Sequence, residues 1–105
     1  MVRGEVFRLA APRGVRGHEQ RGARHAVIVQ ADEFLGLSTV LIAPTSTSAR
    51  RASFRPCIEL DGLETRVLAE QTTVVDPQRL GVSGGRLNGA ELRAVDEALG
   101  LVLGL

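Results

Sequence analysis

The chain opens on an alternation of polar and apolar residues, Glu5-Val6-Phe7-Arg8-Leu9, whose period of two predicts a half-buried strand. Residues 10–23 break that pattern. They are rich in Gly, Arg and Pro, with Pro12, Gly14, Gly17 and Gly22, and predict a long basic connection of the kind that carries function in a small domain. His25 to Gln30 predicts a second strand, and Asp32 to Leu37 a short helix or turn. Thr39-Val40-Leu41-Ile42-Ala43 is a near-continuous apolar run, expected to be a strand that stops at Pro44. Four hydroxyls follow it, Thr45-Ser46-Thr47-Ser48. Ile58 to Leu60 and Thr65 to Val75 read as further strands separated by the turn Asp61-Gly62, and Gly84-Gly85 as a tight bend before Arg86-Leu87.

The period then changes. From Asn88 the apolar residues Leu92, Val95, Leu99, Val102 and Leu103 share one face of a helix, with Asn88 and Glu91 placed as a reciprocal cap and Gly104 as a stop. The expected architecture is mainly β, five to seven short strands closed by one C-terminal helix, in a single domain spanning residues 1–105. With three Phe and neither Trp nor Tyr, the core must be built from Val, Leu, Ile and Ala. Few rings are left for stacking on nucleic-acid bases.

Charge changes the picture more than composition does. The net charge of +1 conceals nine arginines against four acids in residues 1–55 (+5) and four arginines against eight acids in residues 56–105 (−4). Every basic residue is arginine, whose planar fork suits bidentate binding of phosphate. A basic face that attracts nucleic acid is therefore expected from the N-terminal half. Cys57 is the only cysteine and the histidines are His18 and His25 alone, so neither a disulfide nor a typical metal centre is expected, and no cofactor is implied. No apolar leader or membrane-length segment is present in the sequence, which reads as cytoplasmic.

The most suggestive junction is Gly17-His18-Glu19-Gln20-Arg21-Gly22-Ala23-Arg24-His25, where the polar connection runs into the second strand. Arg24 stands at that boundary. A strand fixes its backbone while the connection beside it adjusts to a ligand, an arrangement suited to phosphate chemistry. Taken alone, such an arginine is more often a solvated surface charge, Ser46 a turn cap, Glu19, Gln20, Glu70 and Gln71 polar surface, and Cys57 a small buried apolar residue. His25, next to Arg24, points to the opposite face by strand alternation. His18, in the connection, has the easier reach.

Several segments in order resemble the MazF/PemK family of toxin endoribonucleases. They are Arg3-Gly4-Glu5-Val6, Gly17-His18-Glu19-Gln20 with Ala23-Arg24, Val40 to Ser48, Glu70-Gln71, Val74-Val75-Asp76 with Arg79-Leu80-Gly81, and Val95-Asp96-Glu97-Ala98-Leu99 with Leu101 to Leu105. The resemblance implies a small SH3-like, CcdB-like barrel that forms a homodimer and cleaves single-stranded RNA without metal. It implies 2′-OH attack, leaving a 2′,3′-cyclic phosphate and a 5′-OH. Carried onto this chain, the catalytic arginine is Arg24, and the family's threonine falls on Ser46, with Thr47 the alternative one residue on. Arg16, His18, Glu19, Gln20, Thr47, Glu70 and Gln71 are the implied substrate-binding residues.

The resemblance also implies a cognate antitoxin with an acidic, disordered C-terminal tail, which would compete with RNA for the arginines Arg13, Arg16 and Arg21. The alternative reading is a non-catalytic toxin of the related CcdB group that binds a protein target such as DNA gyrase. The pairing of Arg24 with a hydroxyl at Ser46 favours the enzyme.

Overall fold

A computed structural model describes residues 1–10 and 24–105. Seven strands are β1 (Glu5–Leu9), β2 (Arg24–Ile28), β3 (Val40–Ser46), β4 (Cys57–Leu60), β5 (Leu63–Val67), β6 (Thr73–Val75) and β7 (Leu80–Arg86), followed by the helix α1 (Gly89–Leu103). All paired strands are antiparallel, in the order β4-β5-β3-β2-β1-β7, with β6 added to β3. The sheet bends into a half-barrel. The mainly β architecture with a C-terminal helix agrees with the sequence reading, and the expected connection at residues 11–23 lies outside the described residues.

Strand β3 makes the bend. Its first half pairs with β2 and β6, and its last two residues, Thr45 and Ser46, pair with Val67 and Arg66 of β5. Against the expected stop at Pro44, the strand runs through to Ser46. Proline removes a donor but keeps an acceptor, and Pro44 stands where β3 leaves β2, opposite Ala26, with its carbonyl taking the Leu68 N–H at 2.8 Å. The expected strand from Thr65 to Val75 is likewise two strands, interrupted by a 3-10 turn at Ala69–Gln71. The Thr72 N–H and hydroxyl both close on the Ala69 carbonyl there.

Gly84 and Gly85 do not form a bend but lie within β7. The β1–β7 register slips between Val6 and Phe7, and Gly85 takes φ +103°, a conformation open to glycine, at that bulge. Asp61 and Gly62 close the two-residue β4–β5 hairpin as expected, with Leu60 opposite Leu63. Asn88 and Glu91 form the reciprocal cap of α1, and Gly104 ends it in the left-handed conformation.

Alternation along β2 builds two cores. Val27 and Val29 join Val6, Ala43, Ile58, Val67 and the helix residue Val95 on one face, while Ala26 and Ile28 join Leu9, Val40, Ile42 and Val75 on the other. The helix is pinned over the first face by Arg3, whose Nη2 meets Asp96 at 2.7 Å and whose Nε donates to the Val29 carbonyl. Its apolar stripe is only partly covered. Val95 and Ala98 are buried, whereas Leu101 and Leu103 are each 63 % exposed. Cys57, expected to be buried, is exposed.

Candidate active site

Arg24 is the first residue of β2, paired across β1 with Leu9. Ala26 and Ile28, two and four residues on, are buried in the second core, so alternation directs Arg24 to that same side, past the end of the packed apolar layer. There it lines an open cavity of about 260 Å³, together with Leu9, Ile42 and Pro44, and with Gln71, Thr73 and Arg79. Leu9, Ile42 and Val75 of the lining are buried, whereas Gln71, Thr73 and Val74 are exposed. Among the described residues that line it, two are arginines and none is a carboxylate or a histidine.

His25 sits opposite Arg8 in the β1–β2 register and close to Gly84 of β7. It is absent from the cavity lining, in keeping with alternation. Thr45 is buried and its hydroxyl donates to the His25 carbonyl at 3.2 Å, which ties β3 to β2 just where β3 departs.

Ser46 is 5 % exposed, and its Oγ accepts the N–H groups of Ser48 and Ala49 at 3.2 and 3.0 Å. Its hydroxyl therefore holds the turn that follows β3. Continuing the β2–β3 register two residues beyond Ala26 and Pro44 sets Ser46 across from Arg24, yet Ser46 is not among the residues lining the cavity. Thr47 is exposed beside it.

Of the adjacent pair Glu70 and Gln71, the structure brings only Gln71 to Arg24. Glu70 turns to Arg55, whose Nε and Nη2 both reach its Oε2, at 2.9 and 2.6 Å, while its Oε1 is buried and accepts no hydrogen bond from the described residues. Arg55 also donates to the Arg50 carbonyl and lies over the Phe54 ring. The pair thus fastens the segment after the Ser46 turn to the 3-10 turn that presents Gln71. Arg16, His18, Glu19 and Gln20 lie outside the described residues.

Thr73 and Arg79 line the cavity with Arg24, and sequence reasoning does not single them out. Thr73 carries no signal beyond standing two positions after Gln71, whereas Arg79 belongs to a segment with family resemblance. No group of three or more His, Cys, Asp or Glu residues suited to a metal ion occurs among the described residues. Cys57 donates to Glu64 at 3.2 Å, and partial desolvation of its sulfur, followed by that carboxylate, pushes the thiol up from its ordinary value although the residue as a whole is exposed.

The sequence profile of the PemK-like, MazF-like toxins of type II toxin–antitoxin systems matches residues 2–103. The chain belongs to this family. A relative from Mycobacterium tuberculosis (strain ATCC 25618 / H37Rv), named "Putative toxin Rv3098A/RVBD_3098A", is 43 % identical over 75 residues, which are 71 % of this chain and 70 % of the relative. Solved structures share the fold at low identity. A mycobacterial endoribonuclease in complex with its cognate antitoxin superposes with a TM-score of 0.83 at 21 % identity, covering 100 % of this chain and 96 % of the other. MazF from Deinococcus radiodurans gives 0.81 at 23 % identity, covering 100 % and 97 %. The Mycobacterium tuberculosis toxin MazF-mt6 gives 0.77 at 19 % identity, covering 96 % and 97 %. The half-barrel with its C-terminal helix is thus a MazF-like fold, and no helix among the described residues is long and apolar enough to cross a membrane.

Proposed function

We propose that this member of the PemK/MazF family is an endoribonuclease toxin that cleaves single-stranded RNA at specific sequences, without metal, by attack of the ribose 2′-OH on the adjacent phosphate. The products are a 2′,3′-cyclic phosphate and a 5′-OH end. The observation that carries the reading is the cavity itself, an open recess in which Arg24 stands with a second arginine and with the amide and hydroxyl donors of Gln71 and Thr73.

As the 2′-oxygen attacks, negative charge builds on the non-bridging phosphoryl oxygens. A guanidinium held by a strand meets that charge with two parallel hydrogen bonds and little reorganisation. Ser46 is assigned the second donor: its Oγ accepts two N–H groups and lies 3.4 Å from the Ser48 hydroxyl, so with Ser48 donating in that contact the Ser46 proton is given to the phosphate. Gln71 and Thr47 bind the RNA, and Glu70 serves the site by holding Arg55 and so fixing the turn that carries Gln71. Arg16, His18, Glu19 and Gln20 complete the substrate-binding set from residues 11–23. Arginine stays protonated near neutrality and so has no lone pair with which to take a proton, and the described lining contains no carboxylate or histidine to do so. This part of the site therefore stabilises charge; His18 is the candidate for proton transfer.

The same reading makes the protein a cytoplasmic homodimer neutralised by a cognate antitoxin. The acidic tail of that antitoxin competes with RNA for Arg13, Arg16 and Arg21 and covers Arg24. The solved mycobacterial relative in complex with its cognate antitoxin is consistent with such a partner.

Incubating the pure protein with a long RNA in EDTA tests the chemistry. Cleavage leaving 5′-OH ends is the expected result. Strict magnesium dependence or 5′-phosphate ends would overturn the mechanism, and intact RNA would turn attention to a CcdB-like protein target.

A further inference from the structure

The proposed chemistry uses one arginine of the cavity, and the structure holds a second, Arg79, by several hydrogen bonds. Arg79 ends the 3-10 turn Pro77–Arg79. Asp76 caps that turn by accepting the Gln78 N–H at 2.9 Å, Pro77 stands at its start, and the Arg79 N–H closes on the Asp76 carbonyl at 2.9 Å. The turn is then tied to the end of β1. Ala10 donates its N–H to the Arg79 carbonyl at 3.0 Å, and the Arg79 guanidinium returns Nε and Nη2 to the Ala10 carbonyl at 3.1 and 2.8 Å.

A guanidinium has five N–H donors in a rigid fork. Two are committed to Ala10, and the other three, on Nη1 and Nη2, donate to no other described group. The Nη1–Nη2 edge is thus left over on a side chain that is already immobilised and that lines the same cavity as Arg24. A donor pair fixed in advance loses little entropy when it binds an anion. No carboxylate among the described lining residues competes for it.

We infer that Arg79 is a second phosphate-binding residue of this site, taking the phosphodiester next to the one Arg24 engages, with the Ala10 carbonyl as the tether that aims it. The inference rests on the reading of the protein as an RNA-cleaving toxin and adds to it where the neighbouring nucleotide is held. It also assigns the tether a purpose. The Ala10 carbonyl orients the cation, and the cation gives the affinity.

The two roles separate in a binding experiment on the full chain. The probe is a random-sequence pool of single-stranded 2′-O-methyl oligoribonucleotides, which lack the attacking 2′-OH, titrated over a range of salt concentrations. Removing a cation that neutralises one phosphate of a single strand makes the slope of log K against log[salt] shallower by about 0.7. Arg79→Ala should show that change together with an affinity loss of about tenfold, the size of a hydrogen bond to a charged group. Arg79→Gln keeps an amide donor for the Ala10 carbonyl and loses the charge, so it should fold normally and still show the shallower slope. Arg79→Lys should retain most of the slope.

If Arg79→Gln binds with the wild-type slope, or if Arg79→Ala lowers only the melting temperature, Arg79 is no more than a tether and the inference fails while the RNA reading stands. If the wild-type protein neither cleaves RNA nor holds the probe, the functional reading fails first and this inference with it.

Discussion

The two faces of β2 are built from the same alternating residues and end differently. On the face of Val27 and Val29 the apolar layer is closed by α1, with Val95 set into it and Arg3 anchoring the helix through Asp96. On the face of Ala26 and Ile28 the apolar layer gives way at one end to the cavity of Arg24. Burial accounts for the first face, since a continuous core is favoured by about 25 cal/mol per Å² of apolar surface removed from water. It does not account for two arginines over Leu9, Ile42 and Val75. An apolar layer that ends, among the described residues, in a recess lined by two arginines is suited to an anionic ligand.

That contrast is broken most directly by one substitution on each face. Arg24→Ala should reduce RNA cleavage per folded molecule by a factor on the order of 10² to 10³, the usual cost of losing a donor to a developing oxyanion, while the protein still folds. Ile58→Ala, in the helix-covered core, should do the reverse, costing about 2–5 kcal/mol of stability while the folded fraction retains its specific activity. Parallel melting curves and single-turnover rates decide both. An Arg24→Ala protein that cleaves normally removes the chemistry from the open face.

A smaller effect tests the boundary between the faces, at the turn after β3. Ser46→Ala deprives the Ser48 and Ala49 N–H groups of their acceptor and should cost about 0.5–2 kcal/mol, as for other lost caps. If Ser46 also donates to the phosphate, the cleavage rate per folded molecule should fall as well, though less than for Arg24→Ala. Thr47→Ala, on an exposed residue, should leave stability within about 0.5 kcal/mol of wild type. Should it nevertheless prove the more damaging change to cleavage, the catalytic hydroxyl is Thr47.

The smallest effect concerns the far edge of the sheet. The Ser83 hydroxyl and the Val2 N–H, which donate to the Glu5 carboxylate, hold it below its ordinary range, assisted by the N-terminal ammonium. A carboxyl depressed in the folded state contributes stability above its unfolded value of about 4.3 and loses that contribution as pH falls through the folded value. Glu5→Gln should therefore be less stable than wild type at neutral pH, and denaturant midpoints of the two should converge as acid is added below that range. Cavity chemistry should not respond.

The elements written in local chemistry were legible in the sequence. The α1 cap needs only Asn88 and Glu91 three residues apart, the β4–β5 hairpin only Asp61-Gly62, and β1 only its alternation. What the sequence concealed depends on partners far along the chain. Pro44 reads as a strand terminator until β5 and Leu68 supply the pairing that lets β3 continue past it. Glu70 reads as polar surface until Arg55, fifteen residues earlier, is seen to pair with it. Arg79 is separated from Ala10 by 69 positions, and no local pattern reports that their backbones meet beside the Arg24 cavity.

The pairing of β1 with β7 has a consequence in time. Val6 aligns with Gly85, Gly4 accepts the Leu87 N–H, and Arg79 holds Ala10, so the first strand finds its outer neighbour only among the last residues before the helix. During synthesis those partners do not exist until residues 79–87 have been made. Long-range pairings of this kind also close slowly, because the entropy of the intervening loop is given up before the pairing rewards it. The wall of the cavity that includes Arg79 is therefore assembled after translation has passed it. A ribosome-bound fragment ending before residue 79 should carry Arg24 and Gln71 but lack the Arg79 wall of their cavity, and so should bind single-stranded RNA more weakly than the finished chain.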